Sequence, residues 1–223
     1  MKKRVLLSIL LIVVLFTFSG CATKESKEFK KEYEALNGQV NASGKEHRTV
    51  KISSNNPFVK VDASKIVEMI ENKETFYVYF GDELCPWCRS VIEKAIEVAK
   101  KKNIDVIYYV KIWDKDGQEI LRDKYAINDE NNIEKIKSGT ESYTKLLEYF
   151  DPMLAEYTLT KSDGSSIEVG EKRIYAPNYI YVENGEIKKL VEGISEKQTD
   201  SREELTKEIL DDEEKIFNDF FKN

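Results

Sequence analysis

Two cysteines, Cys85 and Cys88, stand three positions apart, between an apolar run and a helical pattern. A pair with this spacing can exchange thiols for disulfides, supply half of a metal site, or close a small structural loop. A structural zinc site needs four ligands, and the other candidates are the remote Cys21 and the single histidine, His47. A disulfide across so short a loop removes little entropy from the unfolded chain. The pattern therefore favours a redox-active pair, and we expect no metal.

A thiol exchanger needs one accessible cysteine with a lowered pKa and a second cysteine that releases the mixed disulfide. A helix that begins at Pro86 places Cys85 at its N-terminus, where unpaired N–H groups and the helix dipole stabilise a thiolate. Cys88 follows one turn later, so we expect it to be more buried and to act as the resolving thiol. Trp87 supplies an apolar face beside the sulfur atoms, and Arg89 adds positive charge that favours the thiolate.

The segments around the cysteine pair predict a parallel sheet. Residues 75–80 and 104–112 are rich in aromatic and β-branched side chains, which is typical of strands buried on both faces. Between them, apolar residues recur at helical spacing up to about residue 102. This order predicts two parallel strands joined by a crossover helix. A short strand at 58–61 and a helix at 63–72 come before them.

Residues 113–173 form a less regular segment. Two stretches within it, 140–150 and 152–157, have helical patterns and are separated at Asp151-Pro152. Asp can cap a helix, and Pro is well suited to the first helical position. We therefore expect two helices in this segment.

The C-terminal part predicts a hairpin followed by a helix. Strands at 178–182 and 187–191 flank the dipeptide Asn184-Gly185, the strongest short hairpin signal. The capping box Ser201-x-x-Glu204 predicts the start of the last helix. We expect the inner face of that helix to contain Leu205, Ile209, Ile216, Phe217 and Phe220.

With "CPWC" after the second strand and "YAP" before the hairpin, residues 58–223 resemble the thioredoxin superfamily. The stretch "GEKRIYAPNYIYVENGEI" is similar to thioredoxin-like lipoproteins of Gram-positive bacteria, some of which are bacteriocin-transport accessory proteins. The resemblance implies an α/β, thioredoxin-like fold: a central mixed sheet flanked by helices, with a helical and loop insertion before the cis-proline strand. It implies that Pro177 is this cis-proline and supports the active site together with Pro86 and Trp87. It also implies that Ala176 pairs with an extended substrate segment.

Gly193 matches a glycine that is common after the hairpin in this superfamily, but three other positions depart from the pattern. Tyr79 occupies the place of a buried acid that transfers protons to the second cysteine. Gly81 and Leu84 occupy the places of two tryptophans. Reductase chemistry therefore does not transfer directly to this chain. Glu83 is a nearby candidate for proton transfer.

The N-terminus predicts export. Basic residues 2–4 precede an apolar run at 5–18, which is too short for a membrane-spanning helix and suits a signal peptide. The following "FSGC" resembles the bacterial lipobox despite its Phe18, and the resemblance implies lipidation of Cys21. An ordinary cleaved signal and a retained transmembrane anchor are the alternatives. The predicted divisions are a lipoprotein signal peptide at 1–20, a polar tether at 21–56 that contains a solvated His47, and a thioredoxin-like domain at 57–223 with its insertion at about 113–173.

All three interpretations of the N-terminus place the domain outside the cytoplasm, where disulfides can persist. With 35 basic and 41 acidic residues, the chain lacks the basic surface of a nucleic-acid-binding protein. We expect a lipid-anchored thiol–disulfide oxidoreductase on the extracytoplasmic face of a bacterial membrane, exchanging disulfides with protein thiols and disulfides. Its only cofactor is the Cys85–Cys88 couple, and its direction and electron-exchange partner stay open. The alternative is a non-catalytic lipoprotein that docks a partner, such as an export system, through residues 113–173.

Overall fold

The computed structural model describes residues 22–221. In this part of the chain, five strands form a mixed central sheet with helices packed on it, so the protein belongs to the α/β class. Four more strands form two separate two-stranded sheets. No helix among these residues is both long and apolar enough to cross a membrane. The helices are α1 (Lys24–Glu34), α2 (Ala63–Glu71), α3 (Pro86–Lys101), α4 (Glu141–Phe150) and α5 (Lys207–Phe220).

The central sheet contains the predicted parallel strands and the predicted hairpin. The strands of the described chain are β1 (Phe58–Lys60), β2 (Phe76–Gly81), β3 (Ile107–Lys111), β4 (Lys124–Ile127), β5 (Ile133–Lys137), β6 (Ala155–Thr160), β7 (Ser166–Arg173), β8 (Asn178–Glu183) and β9 (Glu186–Val191). The order across the central sheet is β1-β3-β2-β8-β9. Strand β3 runs parallel to β1 and β2, whereas β8 runs antiparallel to β2 and β9. Asn184 and Gly185 form the β8–β9 turn with φ angles of 51° and 79°, as the hairpin signal predicts.

Strand β2 is the centre of the fold, and all of its residues are buried. Its alternate side chains enter two apolar cores on opposite faces of the sheet, because successive residues of a strand point to opposite sides. Tyr77 and Tyr79 share one core with α3, and Phe76, Val78 and Phe80 share the other with α2 and α4. The strand ends at Gly81, so the cysteine pair follows directly after its carboxyl end.

The prediction of a polar tether is wrong for residues 24–56, which pack against the domain. Phe29 and Tyr33 lie four positions apart on one face of α1, and both are buried. The ring of Phe29 stacks on Phe58 of β1, with 4.4 Å between ring centroids. Val50 and Ile52 are also buried in this core. A few well-spaced apolar residues are therefore enough to dock an otherwise polar segment.

His47 is buried as well, with 6% of its surface exposed, so its assignment as a solvated linker residue is wrong. Burial lowers the pKa of its imidazole, and the nearby charges of Arg89 and Arg202 lower it further. The predicted signal peptide and the lipidation site, Cys21, lie outside the described residues.

The segment predicted as an insertion contains more β-structure than its pattern indicates. Helix α4 is present, but the helix predicted at 152–157 is not. A short 3-10 turn at Asp151–Met153 leads instead into β6, which pairs with β7. Helix propensity is a weak prior, and pairing with a distant strand overrides it here.

The last helix begins later than predicted. Its N-cap is Thr206, whose hydroxyl accepts a hydrogen bond from the N–H of Ile209 at 3.3 Å, and Ser201 lies in the preceding loop. Two of the five residues predicted for its inner face, Leu205 and Ile216, are only half-buried. The buried face of α5 consists of Ile209, Glu213, Phe217 and Phe220.

Candidate active site

The two cysteines lie where β2 ends and α3 begins. Cys85 is the N-cap of α3, with extended backbone angles, and Pro86 is the first helical residue. The Cys85 Sγ accepts a hydrogen bond from the backbone N–H of Cys88 at 3.3 Å. A sulfur atom thus takes the place that a hydroxyl or carboxylate usually holds at a helix N-cap. This position exposes the sulfur to the positive end of the helix dipole.

The two cysteines differ in acidity. They are free thiols, and their side chains stand 3.1 Å apart. The Cys88 thiol lowers the pKa of Cys85 by hydrogen bonding, and the backbone N–H groups of Cys88 and Trp87 lower it further, against the effect of burial. Burial raises the pKa of Cys88 well above its usual range, and Cys85 adds to that rise. Cys85 is therefore the thiol that ionises first, as the sequence predicts. It is buried, however, whereas the attacking thiol of an exchanger is expected to be accessible.

The loop before β8 closes over the cysteine pair. The Ala176–Pro177 peptide bond is cis, and the Cys85 Sγ lies 3.5 Å from the carbonyl oxygen of Ala176. The Asn178 side chain accepts a hydrogen bond from the N–H of Tyr175 at 2.8 Å and so braces the loop. The fold thereby brings Ala176 and Pro177 to the cysteines across 91 positions of sequence separation.

Gly193, the glycine expected after the hairpin, has a steric role. Its φ angle is +80°, a region that favours glycine, and a Cβ atom there would lie 2.2 Å from the Phe217 ring. The close approach lets α5 pack against the end of β9.

Half-buried apolar residues lie beside Cys85 in the chain and against the core that contains it, and Cys85 itself is only 4% exposed. We call Leu84, Trp87, Trp113 and Ala176 the apolar rim; the last three pack against the core that contains both cysteines. The turn at Gly117 reaches Leu84: a Cβ atom on Gly117 would lie 3.8 Å from the Leu84 methyl group. The start of the predicted insertion therefore contributes directly to the surroundings of the site.

The insertion also contacts the other side of the site. The Arg122 guanidinium donates to the carbonyl oxygen of Ile174 at 3.2 Å, two residues before Ala176, and forms an ion pair with Glu119. Arg173 lies 3.6 Å from the same carboxylate. This buried charge cluster fixes the insertion to the loop that carries Ala176.

Arg89 does not have the arrangement expected of a group that serves the thiolate. Its side chain is fully buried, and its donors bind the carbonyl oxygens of Tyr33, Arg48 and Glu83 and the side-chain oxygen of Asn37. Three of these four acceptors belong to the N-terminal segment. Arg89 is thus a clamp that holds the segment against α3.

The acid beside the cysteines is Asp82, which the sequence analysis did not select. Glu83, the predicted candidate, forms an ion pair with Lys111. Asp82 is fully buried, and its carboxylate accepts hydrogen bonds from the N–H groups of Leu84 at 2.9 Å and Trp113 at 3.1 Å. Burial and then the charge of Glu83 raise the pKa of Asp82 to about 7. Its place at the strand end was visible in the sequence, but its burial and its hydrogen bond from the N–H of Trp113 were not.

Tyr79 explains two departures from the family pattern together. Its ring lies over Gly81: a Cβ atom on that glycine would lie 2.1 Å from the ring. A side chain at position 81 and a tyrosine at position 79 are therefore incompatible in this arrangement. The Tyr79 hydroxyl bonds to the hydroxyl of Tyr33 at 2.8 Å. Burial raises the pKa of both phenols well above 10.

Within residues 22–221, His, Cys, Asp and Glu side chains nowhere gather in a group of three or more that could hold a metal ion. The chain matches no protein-family model and no curated protein.

Proposed function

We propose that the chain has a thioredoxin-like fold and is a thiol–disulfide oxidoreductase that acts through Cys85 and Cys88. One observation carries the proposal: Cys85 caps α3, has a lowered pKa, and lies between the buried Cys88 thiol and the Ala176 carbonyl oxygen. The arrangement supplies a nucleophile, a resolving thiol and a backbone edge for the substrate.

The reaction proceeds in two exchanges. The Cys85 thiolate attacks a substrate disulfide, forming a bond between Cys85 and one substrate sulfur while the other leaves as a thiolate. Cys88 then loses its proton to the released substrate thiolate and attacks the Cys85 sulfur, forming the Cys85–Cys88 disulfide and releasing the second substrate thiolate. The substrate gains two electrons and the protein loses them. Run backwards, the same steps oxidise a substrate dithiol.

The surroundings of Cys85 favour protein substrates. The apolar rim is half-buried and offers apolar contact area on the core that contains both cysteines. The backbone at Ala176, whose carbonyl oxygen lies 3.5 Å from the Cys85 Sγ, can pair with an extended chain. We propose that the substrate presents its cysteine in an extended segment with an apolar neighbour. Since Trp113 belongs to the rim, the insertion takes part in selecting that segment.

We also propose that Cys21 carries a lipid anchor on the outer face of the membrane, on the strength of the signal-like N-terminus and the lipobox resemblance. Because α1 begins at Lys24, only two residues separate Cys21 from the folded domain. The domain is then held directly at the membrane surface rather than at the end of a long tether.

The deciding experiment is a dithiothreitol-coupled disulfide reduction assay on the chain from Ala22 onward. We expect turnover by the natural sequence and none by Cys85→Ala. The matched variant Cys88→Ala should keep the first exchange and accumulate a mixed disulfide with the substrate. A docking protein without redox activity would be indifferent to both changes, and full activity of Cys85→Ala would refute the proposal.

The reduction potential of the couple then gives the direction. It can be measured by equilibration against glutathione, with alkylation and mass shift as the readout. A value near −270 mV indicates a reductase that needs an electron donor, and a value near −120 mV indicates a protein that introduces disulfides.

A further inference from the structure

We propose that one side of α1 binds the anionic phospholipid headgroups of the membrane that carries the anchor. The lysines of this side contact the headgroup phosphates and set the orientation of the domain at the membrane surface. The inference rests on the anchored location that forms part of the proposed function. It adds a contact surface on the folded domain and the chemistry of that surface.

Helix α1 repeats a pattern of lysine, glutamate and core residue. The residues at 24, 27 and 31 are lysines, those at 25, 28 and 32 are glutamates, and those at 26, 29 and 33 are buried. Spacings of three and four residues place each set on one side of a helix, and each set is rotated by about 100° from the one before. The helix thereby separates these lysines from these glutamates. We call Lys24, Lys27 and Lys31 the lysine side.

The lysine side is open to an external anion, since all three of its residues are exposed. Lys24 lies 3.7 Å from Glu28 in an exposed ion pair, and such pairs contribute little. Among the residues that the structure describes, neither Lys27 nor Lys31 has an ion pair or a side-chain hydrogen bond. Two of the three ammonium groups are therefore without any partner in the domain.

A cleft of about 510 Å³ opens beside the lysine side. Its lining consists of Lys27, Lys30, Lys31, Glu34, Ala35 and Ser54. The carboxylate of this lining is already engaged, because Glu34 forms an ion pair with Lys30 and accepts a hydrogen bond from the N–H of Ile52 at 2.8 Å. Lys27 and Lys31 thus remain as uncompensated positive charges in a cleft that has room for a phosphate group.

The positive surface continues from α1 onto α3. The Lys100 ammonium group donates to the hydroxyl of Ser53 at 3.2 Å, and Ser53 directly precedes Ser54 in the lining of the cleft. Lys100 is itself exposed. The surface that we assign to the membrane therefore consists of the lysine side, the cleft and Lys100.

The place of the anchor brings this surface to the membrane. Helix α1 begins at Lys24, so the Cα atoms of Cys21 and Lys24 are at most about 11 Å apart. If α1 lies along the membrane with the lysine side down, all three ammonium groups reach the headgroups together. If α1 stands upright, Lys31 lies about 11 Å further out than Lys24, beyond the screening length of about 8 Å at physiological salt.

Charge favours the arrangement with α1 along the membrane. The whole chain has a net charge of −6, so an anionic surface repels most of it. Each lysine close to such a surface strengthens binding about fivefold, and three together strengthen it about a hundredfold. The lysine side is therefore enough to select one orientation, in which the glutamates of α1 are turned away from the lipid.

The test attaches the chain to vesicles chemically, so it does not depend on lipidation in the cell. A chain from Cys21 onward, with Cys85→Ser and Cys88→Ser, is coupled through Cys21 to a maleimide lipid. Reductive methylation and mass spectrometry then give the reaction rate of each lysine. On vesicles of phosphatidylglycerol and phosphatidylcholine, we expect Lys27 and Lys31 to react at least about fivefold more slowly than on phosphatidylcholine alone. Salt at about 1 M should remove the difference.

Lys73 and Lys161 are the internal controls. Lys73 follows α2, which packs on the opposite face of the sheet from α1, and Lys161 lies in the β6–β7 turn. Both should react at the same rate on the two kinds of vesicle. Two variants that each lose two positive charges complete the design. Lys27→Gln with Lys31→Gln should abolish the protection of Lys100, whereas Lys73→Gln with Lys161→Gln should leave Lys27, Lys31 and Lys100 protected.

Equal rates for Lys27 and Lys31 on the two kinds of vesicle, or equal protection of Lys73 and Lys161, would overturn the inference. The anchor itself is tested separately, by the mass of the Cys21 peptide from the full chain expressed in a bacterial membrane. An unmodified peptide would refute the anchor, and the inference would fall with it. A lipidated peptide together with no protection on the vesicles would refute the inference alone.

Discussion

Replacing Arg89 by methionine should detach the N-terminal segment from the domain. The Arg89 side chain has no exposed surface, and it binds acceptors on Tyr33, Asn37, Arg48 and Glu83. Methionine fills a similar space but donates no hydrogen bond. The substitution therefore leaves three carbonyl oxygens, those of Tyr33, Arg48 and Glu83, without the donor that Arg89 supplies. The Asn37 side-chain oxygen still accepts from the N–H of Val50 at 3.0 Å.

The expected cost follows from these three carbonyl oxygens. A buried polar group that loses its partner costs about 1–3 kcal/mol. The total cost of the unpaired acceptors is reduced in two ways: water can enter to bind them, and the variant no longer has to bury a charged guanidinium. We therefore expect the free energy of unfolding to fall by about 4 kcal/mol. For a chain of this length, such a loss lowers the Tm by about 8–16 °C. It is also a large fraction of the total stability of an ordinary protein.

Two measurements on Arg89→Met test this reasoning: urea unfolding, for the free energy, and hydrogen exchange by mass spectrometry, for the place of the damage. We expect faster exchange in peptides from residues 29–50. The control is Arg122→Met, which removes a buried arginine of the insertion bound to Glu119 and Ile174. It should lower stability while exchange at 29–50 stays slow. If Arg89→Met lowers the free energy of unfolding by less than about 1 kcal/mol, or leaves hydrogen exchange in those peptides unchanged, Arg89 does not hold the N-terminal segment in place.

A chain that begins at Pro57 should be insoluble, or unfolded as judged by circular dichroism. It lacks four buried apolar side chains of the N-terminal segment, and the burial of each stabilises the fold by about 1.5–3 kcal/mol. A folded product would show that the segment is dispensable. Burial raises the pKa of Glu213 to about 8, so the folded state holds its proton more tightly than the unfolded state, and stability falls as pH rises from about 4 to 8. Glu213→Gln should remove that fall and be the more stable form at pH 9 by about 3 kcal/mol in urea unfolding; parallel pH profiles would contradict this. Asp82 raises the pKa of Cys85 by its charge, and its own pKa is about 7. Asp82→Asn should therefore speed alkylation of Cys85 by iodoacetamide only above about pH 7, where Asp82 is charged. An equal effect at pH 5 would contradict the influence of the Asp82 charge on Cys85.

Local patterns along the chain were enough to predict the frame of the site. The all-apolar β2, the crossover to β3 and the Asn184-Gly185 turn depend on periodicity and turn chemistry within a few residues, so they can be predicted without knowledge of the fold. The position of Cys85 at the start of α3 follows in the same way from Pro86. The family resemblance added the expectation that Pro177 is a cis-proline, and the Ala176–Pro177 peptide bond is cis. The Ala176 carbonyl oxygen lies 3.5 Å from the Cys85 Sγ.

Only the tertiary structure decided which polar groups serve the site. The acid is Asp82 rather than Glu83 because the N–H group of Trp113, from the insertion, reaches its carboxylate, while Lys111 binds its neighbour. Tyr79 meets Tyr33, 46 positions away, because α1 packs on the sheet instead of leading to it as a tether. In the sequence, Arg89 is a positive charge close to the candidate thiolate, but in the structure its donors bind backbone carbonyl oxygens and the Asn37 side chain. Such contacts join segments that are far apart in the chain, and burial sets both their energies and their pKa values, so they follow from the packing of the whole domain and not from any local pattern.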